Sequence, residues 1–162
     1  MVAFKDSVKK EVNALFSRYP EKVHALLPLL HIAQRENDGW LPEGWDAYIA
    51  DLCDTTVNHV RGVITFYNMF RTHPVGKYHL MVCTCVPCGL CGGDKVLKQL
   101  EEKLGIHPGQ TTADGLFSLE EAQCLAACDK APLVVLNEDM HERITPEQLD
   151  DLIEQAKKTK KK

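Results

Sequence analysis

Nothing in this 162-residue sequence resembles a membrane span. No apolar run approaches the about 20 residues that a bilayer demands. The amino-terminal stretch Met1-Val-Ala-Phe-Lys-Asp6 lacks the apolar core of a secretory signal. A cytoplasmic protein is therefore expected, with no direct membrane insertion and any membrane association made through partners. The glycines do not form a G-x-G-x-x-G fingerprint, so no nicotinamide or flavin site is read in this chain. His24, His31 and His59 fall on predicted helices without metal-ligand pairing and read as surface or capping residues. Basic residues are outnumbered, 19 to 23, for a net charge of −4, and no aromatic-basic surface motif occurs. Nucleic-acid binding is not expected. The five lysines of Lys157-Lys-Thr-Lys-Lys-Lys162 read as a solvated terminus. Cysteine is plentiful, but its count of seven is odd and no export signal accompanies it, which argues against a disulfide scaffold.

Four of those cysteines organise the chain. Cys83 and Cys88 lie in Val82-Cys-Thr-Cys-Val-Pro-Cys88, after a predicted strand Lys77–Val82. Cys124 and Cys128 lie in Cys124-Leu-Ala-Ala-Cys128, ahead of a predicted strand Leu133–Leu136. Loops that follow strands can lie side by side at one end of a sheet, and four thiolates converging there imply a metal. A [2Fe–2S] cluster and zinc are the leading candidates. Zinc knuckles favour ligands two to four residues apart, and Cys83-x4-Cys88 sits at the loose edge of that range. No histidine occupies a ligand-like place in either pair, which argues against a Rieske-type centre.

The amino-terminal part reads as four short helices. Phe4–Phe16 carries the stripe Val8, Val12, Leu15 and Phe16. Lys22–Arg35 presents Val23, Leu26, Leu27, Leu30 and Ala33, with Pro28 marking a kink or restart. Trp45–Cys53 opens after Pro42 or Glu43 and turns Tyr48, Ile49 and Leu52 inward. Val57–Tyr67 is capped by Thr55 or Thr56, with Val57, Val60 and Ile64 on its inner face. Short links between them suggest a helical bundle. Trp40, Trp45, Phe66, Tyr67 and Phe70 serve either its core or a docking face.

Composition changes at Arg71-Thr-His-Pro-Val-Gly76, predicting a boundary between residues 1–75 and 76–162. The second part reads β-α-β-β-β-α. Asp94 is expected to cap a helix Lys95–Leu104 with Val96, Leu97, Leu100 and Leu104 buried, and Gly105 ends it. A strand Leu116–Ala122 leads to the second cysteine pair, and Leu133–Leu136 with Met140–Ile144 forms a hairpin. Thr145-Pro-Glu-Gln148 is a capping box for a last helix that buries Leu149, Leu152 and Ile153. The fold class is α+β: an N-terminal helical bundle followed by an α/β domain whose element order fits a thioredoxin-like sheet.

The runs Val82-Cys83 to Pro87-Cys88, Gly92-Gly93-Asp94, Leu104-Gly105-Ile106, Thr111 to Phe117 and Cys124 to Pro132 resemble the thioredoxin-like [2Fe–2S] ferredoxins. Upstream, Leu29-Leu30-His31, Gly39-Trp40-Leu41-Pro42 and Val63 to Phe70 extend the resemblance. Within that family the chain is similar to the small iron–sulfur subunits of the NADH-oxidising module of respiratory complex I, a subunit type shared with NAD-linked hydrogenases and formate dehydrogenases. The resemblance implies one [2Fe–2S] cluster per chain on Cys83, Cys88, Cys124 and Cys128. It implies no catalytic residue here, with FMN and NAD(H) on a partner subunit that packs on the helical part, and further iron–sulfur subunits in the complex. Pro132 resembles the proline that is cis in thioredoxin folds. The implied function is single-electron transfer to and from the partner's flavin in an NADH:quinone oxidoreductase, peripheral to the inner membrane.

Within a cluster site, backbone N–H groups of Thr84–Cys91 and Leu125–Lys130 are expected to reach the sulfurs. Ala126, Ala127, Gly89 and Gly92 would allow that close approach, and Lys130 would offset charge. Two cysteines depart from the family pattern, Cys85 and Cys91. Cys88-Gly-Leu-Cys91 resembles a thioredoxin dithiol, so thiol–disulfide exchange is a reading of another class. A hydrogenase or formate dehydrogenase complex, including bifurcating types, and a structural zinc module complete the alternatives.

Overall fold

The computed structural model describes residues 2–159; Met1 and Lys160–Lys162, the end of the basic tail, lie outside the described residues. The chain divides into two compact units, Met1–Pro74 and Val75–Lys162.

The first unit is helical: α1 (Asp6–Phe16), α2 (Leu26–Glu36), α3 (Trp45–Leu52) and α4 (Val57–Phe66). A 3-10 turn, Lys22–Ala25, precedes α2. Pro28 is therefore a restart rather than a kink, since it falls in the first turn of α2 where a backbone N–H has no intrahelical partner. Gly44, in the left-handed region at φ 93°, starts α3, rather than Pro42 or Glu43. Thr56 caps α4, its hydroxyl accepting from the His59 N–H at 3.2 Å. The core gathers Val8, Val12, Leu26, Leu29, Leu30, Trp45, Ile49, Val60, Ile64 and Phe70. Leu29 and Ile32 are also buried, a wider face of α2 than the sequence stripe suggests. Phe4, Trp45 and Tyr48 pack edge to face at 4.9–5.6 Å between centroids. Of the aromatic residues with two readings, Trp45 and Phe70 are core, Trp40 and Tyr67 are half-buried, and Phe66 is 79% exposed. Gln34, buried on α2, donates to the Met69 carbonyl at 3.0 Å and accepts from the Arg71 N–H at 2.9 Å. This fixes the turn that presents Phe66 and Met69.

The second unit is a four-stranded mixed sheet with helices: β1 (Tyr78–Cys83), α5 (Val86–Leu90), α6 (Gly93–Leu104), β2 (Phe117–Ala122), β3 (Leu133–Leu136), β4 (Asp139–Glu142) and α7 (Pro146–Thr159). Strand order is β2-β1-β3-β4. β1 runs parallel to β2 and antiparallel to β3, and β3 and β4 form a hairpin. Leu80, Val82, Phe117, Leu119 and Val134 face Val96 and Leu100 of α6 and Leu149, Ile153 and Ala156 of α7. β1 does not alternate in burial as expected, because it is central and its second face is covered too. There His79 sits within hydrogen-bond distance of Ser118 Oγ (2.7 Å) and Glu120 Oε2 (3.0 Å), while Met81 packs with Ala122, Val135 and Leu125.

The capping box forms as read. The Gln148 N–H donates to Thr145 Oγ1 at 3.3 Å, and the Thr145 N–H donates to Gln148 Oε1 at 3.0 Å. Two expectations are corrected. Asp94 does not cap α6: Gly92 holds that position at φ 99°, a left-handed conformation that suits glycine, and Asp94 falls in the first turn. The segment between Thr84 and Cys91 is not all loop but contains α5, with Pro87 in its first turn.

Close approach explains a further glycine. A Cβ on Gly76 would lie 2.5 Å from the Phe117 carbonyl carbon, where the chain enters β1 against β2. Gly76→Ala should therefore cost about 1–3 kcal/mol by forcing that strand pair apart. Gly62, inside the exposed face of α4 with nothing within 4 Å of where a methyl group would stand, should behave oppositely. Gly62→Ala should gain about 0.5–1 kcal/mol from helix propensity. Urea unfolding of the two variants checks both signs.

Candidate metal centre

Register places the cysteines. In the parallel pair of β1 and β2, Cys83 lies opposite Ala122. Both strands end together, and the chains leaving them continue side by side. The Thr84 N–H donates to the Ala122 carbonyl at 3.1 Å, the Thr84 hydroxyl donates to Glu121 Oε1 at 2.7 Å, and Cys83 Sγ lies 4.0 Å from the Gln123 carbonyl oxygen. Cys83 closes β1, Cys88 lies on α5, Cys124 follows β2 by two residues, and Cys128 opens a 3-10 turn, Cys128–Lys130. The Arg143 N–H donates to the Lys130 carbonyl at 2.8 Å and the Ile144 N–H to the Pro132 carbonyl at 3.2 Å, tying the second loop to the end of β4. The Ala131–Pro132 peptide bond is cis, as the resemblance implied.

The thiols stand as two pairs of unlike exposure. Cys83 and Cys88 are buried with Leu133, covered by Leu125, Ala127 and Ala131; Cys124 and Cys128 are exposed. Among the described residues no three His, Cys, Asp or Glu side chains close around one ion position. The pairs nevertheless act on one another. Burial first, then the hydrogen bond and charge of Cys83, push the Cys88 thiol up to about 11, and Cys128 adds to this. Cys128 is raised by loss of solvent, then by Cys124, with contributions from Cys85 and Cys83. One thiol of each pair, Cys88 and Cys128, is thus biased toward its protonated form, and a bound cation would oppose that bias by stabilising the thiolate.

Backbone amides are aimed at the sulfurs. The Ala126 N–H donates to Cys124 Sγ at 3.4 Å, and Ala126 holds a left-handed φ of 60° to do so. The Leu133 N–H donates to the Cys88 thiol, a donor from β3 rather than from either loop, and one that cysteine spacing gives no signal for. Gly93 permits the tightest packing: a Cβ there would lie 2.7 Å from the Cys83 carbonyl oxygen and 2.9 Å from that of Cys88. Of the small residues read as permitting close approach to sulfur, Ala126 fills that role, whereas Gly93 lies close to the Cys83 and Cys88 carbonyl oxygens instead. Lys130 does not serve as a free counter-charge. Its ammonium donates to Glu142 Oε1 at 2.7 Å, and that pairing raises its affinity for the proton.

The extra cysteines part company. Cys85 caps α5 and packs on the Cys83–Cys88 cluster. Cys91 is exposed at the mouth of a cleft of about 400 Å3 lined by Leu90, Lys95, Gln99 and Pro132. The seventh cysteine, Cys53, is buried in the helical unit. His24, His31 and His59 are exposed; His59 Nδ1 lies 3.3 Å from Thr55 Oγ1, and the His31 ring lies 5.0 Å from that of Phe70, tilted by 54°.

The donor set suits an iron–sulfur group: four thiols and no competing carboxylate in the pairs, apolar cover over one pair, and amide N–H groups directed at sulfur. Comparison with known proteins agrees. The family model described as thioredoxin-like [2Fe-2S] ferredoxin matches residues 12–157. An NADH-quinone oxidoreductase subunit of Rickettsia bellii (strain RML369-C) is 43% identical over 88% of this chain and 87% of its own. Its counterpart in Rhizobium meliloti (strain 1021), also an NADH-quinone oxidoreductase subunit, is 38% identical over 91% of this chain and 88% of its own. A solved NAD+-reducing [NiFe]-hydrogenase, in the air-oxidized state, superposes with a TM-score of 0.69 at 25% identity, over 83% of this chain and 23% of the hydrogenase chain. By fold, by sequence and by the cysteine pairs at the ends of β1 and β2, this chain is a member of the thioredoxin-like [2Fe–2S] ferredoxin family.

Proposed function

We propose that the chain is the small iron–sulfur subunit of an NADH:quinone oxidoreductase, with one [2Fe–2S] cluster held by Cys83, Cys88, Cys124 and Cys128. The observation that carries this reading is the pairing register that ends β1 and β2 together and sets the two cysteine loops side by side. Relatives named as NADH-quinone oxidoreductase subunits, matching over nine-tenths of the chain, support the choice of complex. When bound, the cluster supplies a one-electron couple. The chain's own residues tune it. Burial of Cys83 and Cys88 disfavours added negative charge and lowers the potential; the amides of Ala126 and Leu133 directed at Cys124 and Cys88 raise it. The exposed Cys124–Cys128 side is the natural route for an electron to enter or leave.

FMN and NAD(H) belong, on this reading, to a partner subunit, and further iron–sulfur subunits complete the complex. The position proposed for the chain is cytoplasmic, peripheral to the inner membrane through those partners; among the described residues no helix is long and apolar enough to cross a membrane. The helical unit, residues 1–75 in this proposal, docks the flavin subunit through Phe66 and Met69, exposed apolar side chains on a turn that Gln34 fixes. A hydrogenase-type complex is the second reading, favoured by the superposition on the NAD+-reducing hydrogenase.

Anaerobically purified protein should contain about two irons and two sulfides per chain, bleach with dithionite and show a rhombic EPR signal only when reduced. Cys88→Ala and Cys124→Ala should lose the iron, while Cys91→Ser keeps it. Zinc alone, or iron-free dithiol activity that Cys91→Ser abolishes, would overturn the proposal. Phe66→Asp should weaken co-purification of the flavin subunit while leaving iron content and melting temperature unchanged. Undiminished co-purification would remove Phe66 from the docking face.

A further inference from the structure

A cleft of about 300 Å3 opens on the helical unit beside α4. Leu41 and Ile64, both buried in the core, line its floor, and the exposed Thr65 and Thr72 stand at its rim. The floor is set before anything binds, since the Leu41 N–H donates to the Arg71 carbonyl at 2.7 Å. Thr65 and Thr72 also bracket the turn that carries Phe66 and Met69, so the cleft and those exposed apolar side chains form one continuous surface. The volume lies at the small end of the range for ligand pockets, about 300–1,000 Å3, and suits a single apolar side chain better than a cofactor. Two charged groups decide what else must arrive with that side chain. Arg61 on α4 is 62% exposed, yet Asp46 of α3 holds its guanidinium: Arg61 Nε donates to Asp46 Oδ2, and Asp46 Oδ1 accepts from the Ala47 N–H at 2.9 Å. The Arg61 Nη groups have no partner among the described residues. An arginine fixed in this way loses little freedom when it binds, the property of an interface hot spot. Arg61 and Asp46 cancel in charge. Glu43, exposed and without an ion pair among the described residues, leaves the rim with one negative charge.

We infer that this cleft takes an apolar side chain of the flavin subunit, carried on a segment that offers a backbone carbonyl to Arg61 and a basic side chain to Glu43. The inference rests on the docking proposed above for Phe66 and Met69. The Nη groups only donate, so the partner must supply an acceptor. The Glu43 carboxylate repels an anion, so that acceptor is a neutral carbonyl, and the same carboxylate attracts a cation. The anchor fills the cleft, Phe66 lies against the partner beside it, and Arg61 fixes the register between them.

The test co-expresses a tagged chain with the flavin subunit and follows how fast that subunit is lost from the purified complex on dilution. Thr65→Trp and Thr72→Trp fill the cleft from its exposed rim without touching the core, and each should speed the loss at least about tenfold. Arg61→Ala should do the same, and Arg61→Lys should not restore retention, because lysine keeps the charge but not the planar fork. Glu43→Lys should speed the loss more at low salt than at high salt. Iron content and melting temperature should match wild type throughout. Wild-type loss rates in both tryptophan variants overturn the inference, as does self-association of the chain alone that Thr65→Trp abolishes, which would give the cleft to a second copy. Should Arg61→Ala fail to fold by circular dichroism, the tryptophan variants decide. Wild type that retains no flavin subunit would sink the docking reading itself; wild type that retains it, with Phe66→Asp weakened and both tryptophan variants unchanged, would sink only the cleft.

Discussion

The parallel pairing of β1 with β2 is the constraint on which the candidate metal centre depends. Parallel neighbours send their outgoing chains from the same edge of a sheet, and the register of Cys83 opposite Ala122 makes them leave at the same height. A slip of one residue would turn Cys83 toward α6 and α7 and bury Leu80 and Val82 on the wrong side. The apolar face against those helices therefore fixes the register, and the register fixes the cysteine pairs. The core residues Leu100, Leu149 and Ile153 position the site without touching it.

The connection between β1 and β2 shows how tightly that geometry is built. A parallel pair needs a crossover, and α6 supplies it. α6 cannot begin far from the sheet, since its first residue lies against the carbonyls of Cys83 and Cys88. Gly92 turns the chain in a left-handed conformation and Gly93 accepts the contact that a side chain would block. The glycines of Cys88-Gly-Leu-Cys-Gly-Gly93 thus belong to the packing of helix on ligand loop, and the family resemblance through Gly92-Gly93 has a steric cause.

Much of this was legible in the sequence because it is periodic or local. The stripes of α1, α6 and α7, the Thr56 cap and the Thr145–Gln148 box depend on residues within a turn or two of each other; the caps form, and the stripes bury Val8, Val12, Val96, Leu100, Leu149 and Ile153 while Leu15, Phe16, Leu97, Leu104 and Leu152 stay half-buried. What escaped depends on tertiary contact. α5 is a five-residue helix containing proline and glycine, weak by propensity and held by packing of Cys88 beneath Leu133. Phe70, evenly balanced between core and surface in the sequence, is buried in the helical core beside His31 and Tyr67. Lys130 pairs with Glu142 only because the β3–β4 hairpin returns beside the second loop.

The unlike exposure of the two cysteine pairs has a chemical consequence. Around Cys83 and Cys88 the protein withholds solvent, so charge added there must be met by fixed donors such as the Leu133 amide. Around Cys124 and Cys128 water is available, and a single amide from Ala126 supplements it. Under the ligand set proposed here, Cys83 and Cys88 would hold the group from the buried side and Cys124 and Cys128 from the exposed side. Added negative charge is better solvated beside water, so the Cys124–Cys128 loop would carry it at lower cost than the buried pair. The same exposure that would favour exchange with a partner would also make that loop the weaker hold on iron.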